Sequence, residues 1–85
     1  MSYEFKKSMS LESLKAHVHF ALKIYPLGEP PTKKILTEYC NQIFQGVTFN
    51  ESDVEKGING LRNDNLVEFL GVGEKQREEW TYKLK

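Results

Sequence analysis

Cysteine occurs once, at Cys40, so no disulfide can form within the chain, and a lone thiol suits a reducing compartment. Long apolar runs are missing too. No stretch approaches the roughly eighteen apolar residues of a membrane helix, and the opening "MSYEFKKSMS" lacks the apolar centre of a secretory signal. A cytoplasmic protein without a membrane span is the expectation. An excess of one charge is also absent, with 12 Lys and Arg against 12 Asp and Glu. Non-specific nucleic-acid binders usually carry a basic excess, so any DNA surface here must come from clustering. Repeats and low-complexity tracts are lacking, and "YPLGEPP" is the only linker-like segment.

Catalytic sets are missing as well. At 85 residues the chain is one small domain. A domain of this size buries only about 60–65% of its unfolded surface, which leaves little room for a deep cleft. His17 and His19 stand two residues apart, a spacing that sends them to different faces of a helix and makes a poor metal pair. His17 reads instead as a packed or interface histidine beside the apolar arc. Cys40 falls on a buried stripe, with nothing nearby in sequence to lower its pKa. "GVGEKQ" holds a Gly-x-Gly but joins two strands, with no helix behind it to present amides to a phosphate. The expectation is no enzyme, no metal and no cofactor.

What is present is clear helical punctuation. Ser10 can cap a helix from Leu11, whose stripe is Leu11, Leu14, Val18, Ala21, Leu22 and Tyr25. His17, Phe20 and Ile24 widen that stripe beyond one face, and Tyr25-Pro26 ends the helix. "LGEPP" reads as a turn with room for a short extended stretch. A second helix starts at Thr32 or the prolines before it, with Ile35, Leu36, Tyr39, Cys40, Ile43 and Phe44 inward and Gly46 beyond its end. The third helix, about 50–64, has the best-marked start. Asn50 is an N-cap, Asp53 an N3 acid, and Phe49 with Val54 form a hydrophobic staple. Acids in its first turn, Glu51 and Asp53 among them, complement the helix dipole and say little about a partner.

After Asp64-Asn65 the period changes to two. "LVEFL" (66–70) pairs with "WTYKL" (80–84), where Trp80, Tyr82 and Leu84 share one face and read as core. The loop 71–79 carries Lys75 and Arg77 near its tip. The fold class is therefore α+β, mainly α: a three-helix core with a C-terminal two-stranded hairpin wing over residues 11–85, behind a flexible segment 1–10. Tyr3 and Phe5 of that segment can dock on another surface.

The stretch "EPPTKKILTEYC…SDVEKGINGLRNDNLVEFLGVGEKQREEWTYKL" resembles the winged helix-turn-helix domains of prokaryotic and phage regulators. The shared run is a Thr-led second helix (Thr32), a third helix with apolar Val54, Ile58 and Leu61, a Leu66-Val67-Glu68 first strand and a closing Tyr82-Lys83-Leu84. These are mostly core positions, so the likeness speaks to fold more than to function. One departure is the link between helices two and three, longer at Gln45 to Phe49 than the usual three or four residues.

For function, the resemblance implies that helix three enters the major groove while the wing lies on the backbone. At about 3.6 residues per turn, Ser52, Lys56, Asn59 and Asn63 form the outward strip, with Glu55 and Arg62 at its flank. Gly60 borders the strip and would allow close backbone approach. Asn pairs bidentately with adenine and Lys reaches guanine O6 and N7. Lys33 and Lys34 at the start of helix two, Lys75 and Arg77 on the wing, and an arm with Lys6 and Lys7 are the phosphate candidates. Double-stranded DNA is one expected partner. The other reading is an adaptor or inhibitor that grips a protein with the same surface, which the neutral charge suits. A homodimer through Phe20, Ile24 and His17 of helix one would cover the surplus apolar flank.

Overall fold

The computed structural model describes residues 9–85; Tyr3, Phe5, Lys6 and Lys7 lie outside the described residues. Three helices, α1 (Leu11–Ile24), α2 (Lys33–Ile43) and α3 (Glu51–Asn63), precede a hairpin of β1 (Val67–Leu70) and β2 (Thr81–Leu84). The strands pair antiparallel, with Val67 opposite Leu84 and Phe69 opposite Tyr82. This is a winged-helix-like topology, mainly α with a small sheet.

Each helix starts where a side chain satisfies its first amides. The Ser10 hydroxyl accepts from Ser13 N–H, and Thr32 Oγ1 accepts from Ile35 N–H. At α3 the capping is reciprocal: Asp53 N–H donates to Asn50 Oδ1 while Asn50 N–H donates to Asp53 Oδ2. Phe49 and Val54, the staple pair, are both buried.

Helix α3 ends in a Schellman turn. Asn65, at φ 64, takes the left-handed position that asparagine tolerates. Asn65 N–H donates to Arg62 O and Leu66 N–H to Leu61 O, which satisfies two orphan carbonyls. This explains why the first strand is shorter than the expected 66–70: the Leu66 amide is committed to the helix end, and its side chain is 43% exposed. Trp80 likewise sits before β2, where its amide closes a 3-10 turn (Arg77–Glu79) onto Arg77 O.

The long link 44–50 is held by one side chain. Asn41 Nδ2 donates to Phe49 O at 2.9 Å and Asn41 Oδ1 accepts from Phe49 N–H at 2.7 Å, so a single amide replaces a missing strand partner. The "LGEPP" region does contain an extended residue, since Thr32 bridges Thr81 and Tyr82 N–H donates to Pro31 O. That bridge fastens the N-terminus of α2 to the wing.

The core runs through Leu14, Val18, Ala21, Leu36, Cys40, Val54, Ile58, Leu61, Val67 and Tyr82. Two expectations need correction. Ile35 is 44% exposed, because the buried arc of α2 centres on Leu36, Thr37 and Cys40, and the Thr37 hydroxyl is satisfied by donating to Lys33 O. Gly60 does not border the outward strip. It is buried against α1, where a Cβ would lie 2.6 Å from Lys15 Cδ. Gly57 makes the same contact one turn earlier, and its Cβ would meet Val18 Cγ2 at 2.8 Å and the Leu14 carbonyl oxygen at 3.0 Å.

The two glycines should respond differently to alanine. At Gly57 the obstacle includes backbone, so Gly57→Ala should lose about 1–3 kcal/mol despite the better helix propensity. At Gly60 the obstacle is a flexible lysine stem, and Gly60→Ala should change stability by less than about 1 kcal/mol. Urea unfolding of both variants checks this ordering; equal costs would contradict it.

Candidate functional site

The three acids at the start of α3 separate into different roles. Asp53 belongs to the capping box, and Glu51 lies exposed in the first turn, where the helix dipole favours it. Glu55 lies beyond that turn and faces the wing. Its Oε1 accepts from Lys33 Nζ at 3.2 Å and its Oε2 stands 3.8 Å from an Arg77 guanidinium nitrogen. One carboxylate thus joins α3, the first turn of α2 and the wing loop. Lys33 gains most from it, because a cation at a helix N-terminus opposes the dipole. Its side chain is only 16% exposed, against 66% for Arg77.

Around this triad a groove of about 110 Å³ opens between α3 and the wing. Glu55, Asn59 and Arg62, at i, i+4 and i+7, form one wall, and Phe69, Arg77 and Trp80 the other. Both guanidinium groups lie over aromatic rings: Arg62 is 4.3 Å from the Phe69 centroid and Arg77 5.5 Å from that of Trp80. The Trp80 indole donates to Lys75 O. Burial pushes the Tyr82 phenol above its usual range and the Glu55 charge adds to the shift, so the floor of the groove stays neutral.

Of the residues expected on the DNA face, Lys33, Asn59, Arg62 and Arg77 come together in this groove. Ser52, Lys56 and Asn63 are exposed on the outward strip of α3, outside the groove wall. Lys34 is exposed beside Lys33, and Lys75 is exposed with its stem against Gly71. The expected strip is therefore continuous along α3, while the expected phosphate contacts are partly engaged within the chain. The parts that sequence reasoning missed are the bridging role of Glu55 and the ring of Phe69 under Arg62. The i, i+4, i+7 spacing of Glu55, Asn59 and Arg62 puts them on one face of α3 but carries no signal for the bridge.

On α1 the three interface candidates divide. His17 is packed: its Nδ1 lies 2.7 Å from the Ser13 carbonyl, which can only accept, so the proton sits on Nδ1. Its ring meets Phe44 at 4.6 Å and Phe49 at 5.6 Å. Phe20 and Ile24 remain 47% and 41% exposed. Phe20 borders a shallow groove of about 470 Å³ shared with Ala16, His19, Leu61 and Leu66.

Among the described residues no group of three or more His, Cys, Asp or Glu could hold a metal ion, and no helix is long and apolar enough to cross a membrane. No family model, curated protein or solved structure matches this chain.

Cys40 is fully buried, and burial pushes its thiol up to about 11. The unfolded thiol ionises near its ordinary 9.0 while the native one stays protonated. Stability should thus be unaffected by this group below about pH 9 and fall by roughly 2–3 kcal/mol as pH rises to about 11. At pH 8 the native thiol should resist alkylation that proceeds readily in urea. Rapid labelling of the folded protein would contradict that placement.

Proposed function

We propose that this chain is a small sequence-specific DNA-binding regulator, with α3 in the major groove and the wing on the backbone. The observation that carries this reading is the convergence of three elements on one face. Lys33 from α2, Asn59 and Arg62 from α3, and Arg77 from the wing line a single groove, and the polar strip Ser52, Lys56, Asn59 and Asn63 continues beside it. Hydroxyl, amide and ammonium groups on an exposed helix suit base edges. Lys34 and Lys75 flank that helix as phosphate contacts.

A second reading is favoured by Glu55, whose single carboxylate is shared by two of the cations that the first reading needs. On that reading the same face grips another protein. Salt separates the two. A duplex contact that neutralises phosphates weakens steeply as salt rises, with a slope near −0.9 per phosphate.

The DNA-binding form is a homodimer through α1. Phe20 and Ile24 project from that helix, and Leu66 extends the apolar surface. Glu12 and Lys23 stand near opposite ends of α1 in the same groove, so an antiparallel pairing about a two-fold axis sets each against its opposite charge. Two copies also present two reading helices to a palindromic site.

Fluorescence anisotropy with labelled duplexes at low salt tests the first reading. Asn59→Ala should lose about 1–3 kcal/mol at one base position, whereas Lys75→Ala should weaken all duplexes alike. If Asn59→Ala leaves every affinity unchanged, α3 is not the reader, and the protein-binding role takes its place. For the dimer, sedimentation at tens of micromolar should give twice the 9.9 kDa chain mass, and Phe20→Glu should restore the monomer. A wild type that is monomeric at that concentration removes the dimer.

A further inference from the structure

Of the three acids at the start of α3, Glu55 is the one that neither the capping box nor the first turn accounts for. Lys33 occupies only one of its oxygens at hydrogen-bond distance, and the Arg77 contact to the other is long at 3.8 Å. Its side chain is 38% exposed, so the carboxylate keeps open acceptor capacity. Asn59 lies one turn further along the same wall. A bare carboxylate among phosphates would be repelled, but here two cations flank it and leave the triad with a net positive charge. Arg77, mostly exposed and held at long range, is free to move to a phosphate once DNA is present.

We propose that Glu55 is a specificity-determining residue that selects cytosine, by accepting a hydrogen bond from the exocyclic N4 amino group in the major groove. Aspartate and glutamate are the acceptors suited to that amine. Lys33 keeps the carboxylate aimed, and the same carboxylate holds Arg77 near the backbone path until a phosphate displaces it. Adenine offers an amine at its own major-groove edge, but Asn59, with a donor and an acceptor, is better matched to its N7 and N6 pair. The two residues thus read neighbouring positions, one selecting cytosine and the other adenine. The inference rests on the DNA-binding reading above. The plain alternative is that Glu55 is only a clamp between α3, α2 and the wing.

The experiment selects preferred duplexes from a randomised library with the wild-type chain. Affinities of wild type, Glu55→Ala and Glu55→Gln are then measured on the selected duplex, and on copies in which each cytosine in turn is replaced by pyrimidin-2-one, which lacks the N4 amine. At one position the replacement should weaken wild type by about 5- to 150-fold, the range of one good base contact. There it should leave Glu55→Ala unchanged. On duplexes without that cytosine, Glu55→Ala should bind more tightly, with a salt slope steeper by about one phosphate, because Lys33 is released. Glu55→Gln keeps an acceptor without the charge, so it should retain part of the cytosine preference and share the steeper slope. If Glu55→Ala keeps the wild-type response at every position, Glu55 is a clamp and the proposal fails while DNA binding stands. If wild type binds no duplex even at low salt, the DNA reading fails and takes this inference with it.

Discussion

The close crossing of α1 and α3 is the constraint on which the rest of this fold depends. Gly57 and Gly60 remove the side chains that would hold the helices apart, and Leu14, Lys15 and Val18 fill the space. Because the glycines stand on one side of α3, the crossing fixes its rotation about its own axis. The strip Ser52, Lys56, Asn59 and Asn63 is then turned outward by packing rather than by any partner. Lys15 finishes the contact. Its stem covers Gly60, and its Nζ reaches Asp64 at 2.7 Å and Glu12 at 3.3 Å. The hydrogen bond to Asp64 raises the lysine pKa, a shift that burial opposes and Glu12 supports. A cation beside the last carbonyls of α3 also complements the dipole at that end.

From that anchored helix the wing follows with little freedom. The Schellman turn at Asn65 sets where the first strand begins, and the Thr32–Thr81 bridge sets where the second is held. Between these two points Glu55 reaches across to Lys33 and Arg77. The groove is thus bounded by hydrogen bonds at each end and an ion triad within it. Asn41 plays the corresponding part for the link ahead of α3, and without its paired bonds to Phe49 the seat of the capping box would be loose.

Much of this was legible in the residues, because local signals and tertiary packing agree. The Asn50–Asp53 box, the Ser10 cap and the change of period after Asp64 each have one physical meaning, and the structure honours them. The errors fall where two patterns compete. Ile35 and Leu36 are equally apolar, so periodicity alone cannot decide which faces inward; a buried Thr37, satisfied by its own helix backbone, shifted the arc. Gly60 was misplaced because a glycine carries no side chain to mark its face, and only the partner helix reveals which side is crowded. Among the site residues, the outward strip followed from helical geometry. The Lys33–Glu55–Arg77 triad did not, since it joins positions twenty-two residues apart on each side of a tertiary contact.

Overall neutrality does not decide between DNA and protein as the partner, because the distribution of pairs matters more than their sum. Among the described residues Lys34, Lys56 and Lys75 hold no ion pair, Arg62 rests on an aromatic ring, and Lys33 and Arg77 share one carboxylate. Those four cations, Lys34, Lys56, Arg62 and Lys75, correspond on the α3 face of the described residues to a salt slope of about −3.6. With so few phosphate contacts, one copy is expected to bind no more tightly than the usual non-specific range, about 10⁻⁴–10⁻⁶ M at physiological salt. A two-fold assembly doubles the phosphate contacts without adding any charge to the chain. It would also cover Phe20 and Ile24, which are under half exposed and so would gain roughly 1 kcal/mol each on burial. On the DNA reading, then, the exposed flank of α1 and the sparse charge of the α3 face answer one another: the first supplies the association that the second requires.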